Sequence, residues 1–144
     1  MLQVKEGKQF EREVLGVGAS LFGGPTDYIP YRKAMDEVKS FVKTKCDCWD
    51  CGDPDGHIND LHYYVAQALG LDDWSELKLY PCTDSNLDFW HKVDCFFWYR
   101  GNICTIDISL RNKGGYRADV EYGQEDVFNP KPLANDIAMR LRVH

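Results

Sequence analysis

Three stretches of the chain place apolar residues at helical spacing. In "PYRKAMDEVKSFVKTK" Ala34, Val38 and Val42 recur every fourth residue, and Pro30 suits the start of a helix. "INDLHYYVAQALG" carries Ile58, Leu61, Val65 and Ala68 on one face, with Asp55 as a candidate cap and Gly70 as a stop. "NPKPLANDIAMRLRV" keeps Leu133, Ile137 and Leu141 in register. A further helix is expected in "GKQFEREVLGVGASLF", ended by the glycines and proline that follow it.

Between these helices the pattern shortens to that of strands. "LKLYPC" is one, "GYRADVEY" alternates like another, and "TDSNLDFW" reads as a turn or a single helical turn. The stretch "HKVDCFFWYRGNICTIDIS" reads as a hairpin. With Gly101–Asn102 as a two-residue turn, Asp94 would face Ser109, Phe96 would face Asp107, and Trp98 would face Thr105. Strand alternation then gives an apolar face of Val93, Cys95, Phe97, Tyr99, Cys104, Ile106, Ile108 and Leu110. The other face holds Asp94, Phe96, Thr105, Asp107 and Ser109. The expected class is α+β (α/β): a central mixed sheet of about four strands with a core hairpin, flanked by helices. Residues 1–144 are expected to form one domain, with 1–56 a helical, cysteine-rich extension of a 57–144 core.

In that register Asp94 and Asp107 are diagonal neighbours with Cα atoms about 7–8 Å apart, close enough to converge on one divalent cation. An open, solvated sheet face would accommodate the same two acids without one. Cys95 and Cys104 lie too far apart along the hairpin to bond to each other and are expected to pack in the core.

Charge changes this picture in one respect. The net charge is −6, and residues 47–90 hold ten Asp and Glu against one Lys. Residues 91–144 are nearly balanced, with eight Lys and Arg against seven Asp and Glu. Such a balance disfavours a broad nucleic-acid-binding face, although it is compatible with an acidic metal site. No apolar run reaches the length of a membrane span, and the charged start "MLQVKEGKQFEREV" lacks a signal peptide's apolar stretch. The expected location is therefore the cytoplasm, with reduced cysteines and no membrane partner.

The segment "CDCWDCGDPDGHINDLH" admits two metal readings. Cys46, Cys48 and Cys51 with His57 or His62 supply three thiolates and an imidazole, the donor set of tetrahedral zinc. Alternatively "DPDGHI" matches the centre of a calcium loop, but Cys51 and His62 then fall where hard oxygen ligands belong, so calcium is disfavoured. Plain turn and cap roles, with free cysteines, remain open.

An aspartate opening one strand, an aromatic run, a glycine turn and then "TIDIS" resembles the PD-(D/E)XK, or restriction-endonuclease-like, phosphodiesterase superfamily. The likeness is to its small phage- or bacterium-type members and spans about residues 57–142, as a helix, a sheet and a closing helix. It implies a nuclease-like protein in which Asp94 and Asp107 hold Mg2+ or Mn2+, with Asp60 as a helical acid that completes the site. The family's lysine two residues after the second acid is Ser109 here, so Lys113 would supply the amine from further along. The implied substrate is DNA or RNA. The alternative is a non-catalytic inhibitor or binding protein on the same fold, of phage type, which docks on a host protein through its acidic segment. Residues 1–56 would then act as a cap, a recognition arm or the interface of a homodimer.

Overall fold

A computed structural model describes residues 9–10, 13–15, 24–45, 56–110 and 118–142, apart from the side chains of 42–45. The helices follow the apolar stripes. α1 (Tyr31–Lys45) starts after Pro30, whose carbonyl accepts the Ala34 amide. α2 (Ile58–Leu69) ends at Gly70, which takes φ +72° as a left-handed cap and donates its amide back to the last turn. α5 (Lys131–Arg142) buries Ala134, Ile137, Ala138 and Leu141. The stretch at 83–90 holds a true short helix, α3 (Asn86–His91), with the Ser85 side chain accepting the Asp88 amide. A 3-10 turn (Trp74–Glu76) precedes the sheet, and α4 (Gln124–Phe128) joins the last strand to α5.

Among the described residues four strands form one mixed sheet in chain order: β1 (Lys78–Pro81), β2 (Cys95–Tyr99), β3 (Asn102–Ile108) and β4 (Val120–Tyr122). The first three are antiparallel, and β4 runs parallel to β3. The expected α+β fold with a central mixed sheet is the observed one.

Two apolar cores lie on opposite faces of the sheet. Cys95, Phe97, Cys104, Ile106, Ile108, Val120 and Tyr122 pack with α2, α5 and the helical residues Phe10, Val14 and Leu15. Tyr80, Phe96 and Leu87 pack with Ala34, Met35 and Val38 of α1. Phe96 is therefore covered by helices, where the sequence placed it on an open polar face.

The hairpin register differs from the expected one. The turn is Arg100–Gly101, with φ +50° and +88°, so both central residues take the left-handed conformation that a type I′ turn needs. Phe96 faces Thr105, Trp98 faces Ile103, and Tyr99 faces Asn102. Asn102 belongs to the strand instead, and its side-chain amide donates to the Leu141 carbonyl at 2.7 Å, which ties β3 to the end of α5. The slip along β3 is two residues, an even number, so every β3 side chain keeps its assigned face.

A second departure lies at the start of β2. Cys95 pairs with Ile106, yet the Asp94 amide also donates to the Ile106 carbonyl, at 2.9 Å. Two residues of one strand set against one of the other form a β-bulge. The extra residue breaks the alternation. Val93, expected beside Cys95 and Phe97, packs instead in the opposite core with Phe96. Cys82, Cys95 and Cys104 are buried and form no disulfide.

Candidate functional site

Asp94 sits at the bulge and is 2% exposed. Its Oδ2 accepts the Ile108 amide at 2.7 Å, and its carbonyl accepts the Cys82 amide at 3.0 Å. Together with its own amide on Ile106, this makes Asp94 the residue that joins β1, β2 and β3 where the regular ladder ends. A carboxylate that accepts a strand amide lies near the plane of the sheet, so Asp94 and Asp107 do not share a face as diagonal neighbours. They are nonetheless adjacent, because the amide that Asp94 holds belongs to the Asp107–Ile108 peptide.

Asp107 is half-buried and alternates with Ile106 and Ile108, so it faces the α1 side of the sheet. Directly opposite it on the parallel neighbour stands Glu121, also half-buried and on the same face. Glu121 was not a sequence candidate. "RADVEY" shows its strand, but nothing local reveals a parallel pairing with β3.

Beside this pair Thr105 and Asp119 clasp one another. The Thr105 amide donates to Asp119 Oδ2 at 3.0 Å, and the Asp119 amide donates to Thr105 Oγ1 at 2.8 Å. Burial, then Asp119 and Cys82, push the Tyr31 hydroxyl at the start of α1 up to about 12. The first turn of α1 therefore overlooks the same side of the sheet.

The remaining candidates scatter. Ser109, in the family's lysine position, is half-buried and donates its amide to the Tyr122 carbonyl. Asp60 is exposed on α2, the helix that packs on the opposite face from Asp107. His57 is exposed just before α2, and its amide donates to the Glu13 carbonyl. His62 is buried, with Nε2 at 2.9 Å from the Leu77 carbonyl. Lys113, Cys46, Cys48, Cys51 and the candidate cap Asp55 fall outside the described residues.

The donor set decides how far a cation fits. One Asp94 oxygen is on a backbone amide, Asp60 lies across the sheet, and among the described residues no three His, Cys, Asp or Glu side chains converge on one point. Of the zinc set the described residues include only the two histidines.

A second feature lies on the α1 side of the sheet. Tyr28 and Phe89 are 60% and 52% exposed, and both meet Trp90 edge to face, with ring centroids 5.5 Å and 4.7 Å away. His91 sits between Tyr28 and Tyr31, at 5.7 Å and 5.6 Å. Short polar contacts fix the cluster. Trp90 Nε1 donates to the Thr26 carbonyl, His91 Nε2 lies 2.9 Å from the Ile29 carbonyl, and Asn86 Oδ1 accepts the Thr26 amide at 2.8 Å. Asn86 in turn donates to Glu37 of α1 at 2.9 Å. Only the fold of residues 24–31 against α3 separates these rings from the chain's other aromatic residues.

Comparison with family models, with curated proteins and with solved structures finds no match for the chain. Among the described residues no helix is long and apolar enough to cross a membrane.

Proposed function

We propose that the chain is a non-catalytic binding protein whose partner is a basic protein. The observation that carries this reading is the exposure of its acids: Asp60, Asp72 and Asp73 lie on the surface of the acidic segment, as does Glu76, which pairs with Arg100 at 3.3 Å. The hydroxyl and amide of Ser75 hold the Asp73 carboxyl below the usual carboxylate range, which keeps it charged. Support also comes from the net charge of −6, from Ser109 in the lysine position, and from the commitment of Asp94 to the Ile108 amide. A surface of one sign steers an oppositely charged partner and sets the salt dependence of the encounter.

The test is a calorimetric titration of deca-lysine into the wild type and into an Asp72→Lys/Asp73→Lys/Glu76→Lys variant. Binding that weakens with salt and is largely lost in the variant is expected. No binding by the wild type at low salt contradicts the reading.

A second reading, metal-dependent phosphodiester hydrolysis, is favoured by one observation: Asp107 and Glu121 are paired on one face, next to Asp94. In that reading Asp107→Ala abolishes a Mg2+- or Mn2+-dependent cleavage of DNA or RNA without unfolding the chain.

A further inference from the structure

We propose that the aromatic cluster of Tyr28, Phe89 and Trp90 is the docking surface for an arginine-bearing segment of the partner. The inference rests on the reading of the chain as a binder of basic proteins and adds to it a second contact surface, on the α1 side of the sheet. Two of the three rings are more than half exposed, although a folded chain of this size has helices and strands under which to bury them. Both pack on Trp90, whose indole nitrogen donates to the Thr26 carbonyl, and the Ile29 and Asn86 contacts join residues 26–29 to α3 before any partner arrives. A pre-ordered aromatic surface loses little conformational entropy on binding.

Charge selects the occupant. The segments that build the cluster, residues 24–37 and 84–92, hold five acids (Asp27, Asp36, Glu37, Asp84, Asp88) against three bases (Arg32, Lys33, Lys92). Asp27, next to Tyr28, is exposed; Asp88, next to Phe89, is half-buried and accepts the Asp84 amide at 2.9 Å, and Glu37 accepts from Asn86. A planar guanidinium stacks on an aromatic face while it donates to carboxylates at its edge, and an ammonium does this less well. Stacking of nucleic-acid bases on the same rings would need a basic flank along the backbone path, and here the flank is acidic.

The test is titration of deca-arginine and deca-lysine, under the same buffer and salt, into the full chain and into Tyr28→Ala/Phe89→Ala. Both substitutions remove exposed rings, and thermal melting checks that the variant folds. The wild type is expected to favour deca-arginine by about tenfold, and the variant by about twofold or less, with the larger loss of affinity falling on deca-arginine. Equal affinity of the wild type for the two peptides overturns the aromatic surface and leaves the acidic-surface reading standing. An arginine preference that survives in the variant moves the contact elsewhere and also overturns the proposal. Failure of both peptides to bind overturns the proposal together with the reading beneath it. A short oligo-dT probe that binds these rings in preference to deca-arginine overturns the choice of a basic segment.

Discussion

The Asp94 carboxylate accepts the amide proton of Ile108 at 2.7 Å from a position almost fully shielded from water. This bond replaces the ladder partner that Ile108 loses where β2 bulges away. Asp94→Ala is expected to cost about 2–3 kcal/mol, because it leaves a buried amide without its acceptor. Asp94→Asn retains an acceptor and is expected to cost about 1 kcal/mol. Asp107→Ala, at a half-exposed position, is expected to stay within about 1 kcal/mol of wild type. Urea denaturation of the three variants checks the order. An Asp94→Ala chain as stable as Asp107→Ala would refute the structural role of Asp94.

Thr105 and Asp119 extend the contact of β3 with the start of β4 through two side-chain bonds rather than a backbone ladder. Thr105→Val and Asp119→Ala each remove one of these bonds and are each expected to cost about 1 kcal/mol, close to additively, since each side chain accepts from the other's backbone amide, which the other substitution leaves in place. Either variant as stable as wild type in urea would contradict the clasp.

Asp126 predicts a pH dependence. Burial raises its carboxyl above the usual range, against the smaller opposing effect of the Gly123 amide that it accepts. A carboxyl raised in the folded state contributes stability that is fully present below its unfolded value, about 3.9, and is lost as pH rises through the folded value. Asp126→Asn keeps an acceptor for Gly123 and removes the charge. Its stability relative to wild type is therefore expected to be higher at neutral pH than below the unfolded value. Thermal melts at the two pH values check this, and an unchanged difference would contradict it.

The buried thiols should be inert. Burial, with a smaller contribution from Asp119, pushes Cys104 up to about 12, and burial with the neighbouring Cys95 raises Cys82 well above its usual value. A thiol reagent at mildly alkaline pH is expected to modify Cys82, Cys95 and Cys104 only as fast as the native chain opens, because the thiolate is the reactive form. Rapid native modification of any of the three, located by mass spectrometry, would contradict their placement in the cores.

Much of this fold was legible along the chain, for local reasons. α1, α2 and α5 announce themselves by apolar residues in register and by Pro30 and Gly70 at their ends. α3 is six residues long, too short to show a period, so it read as little more than a turn. The hairpin strands were visible, but their pairing depended on which two residues would accept positive φ, and Arg100 took the place expected of Asn102. The bulge at Asp94 follows from how β2 leaves β1 and β3, a tertiary event. It moved Val93 to the other core and turned a candidate ligand into a backbone acceptor. Glu121 escaped notice because its partner strand lies across a non-local parallel connection. The aromatic cluster escaped because its rings come from segments about sixty residues apart.

The most direct test of a binding protein against a hydrolase is a cleavage assay. End-labelled DNA and RNA oligonucleotides, single- and double-stranded, are incubated with the wild type and with Asp107→Ala in Mg2+ and in Mn2+. Substrates left intact by both proteins alike are expected. Metal-dependent cleavage by the wild type that disappears in a folded Asp107→Ala chain would contradict the binding reading and make the paired carboxylates of Asp107 and Glu121 the centre of the chemistry.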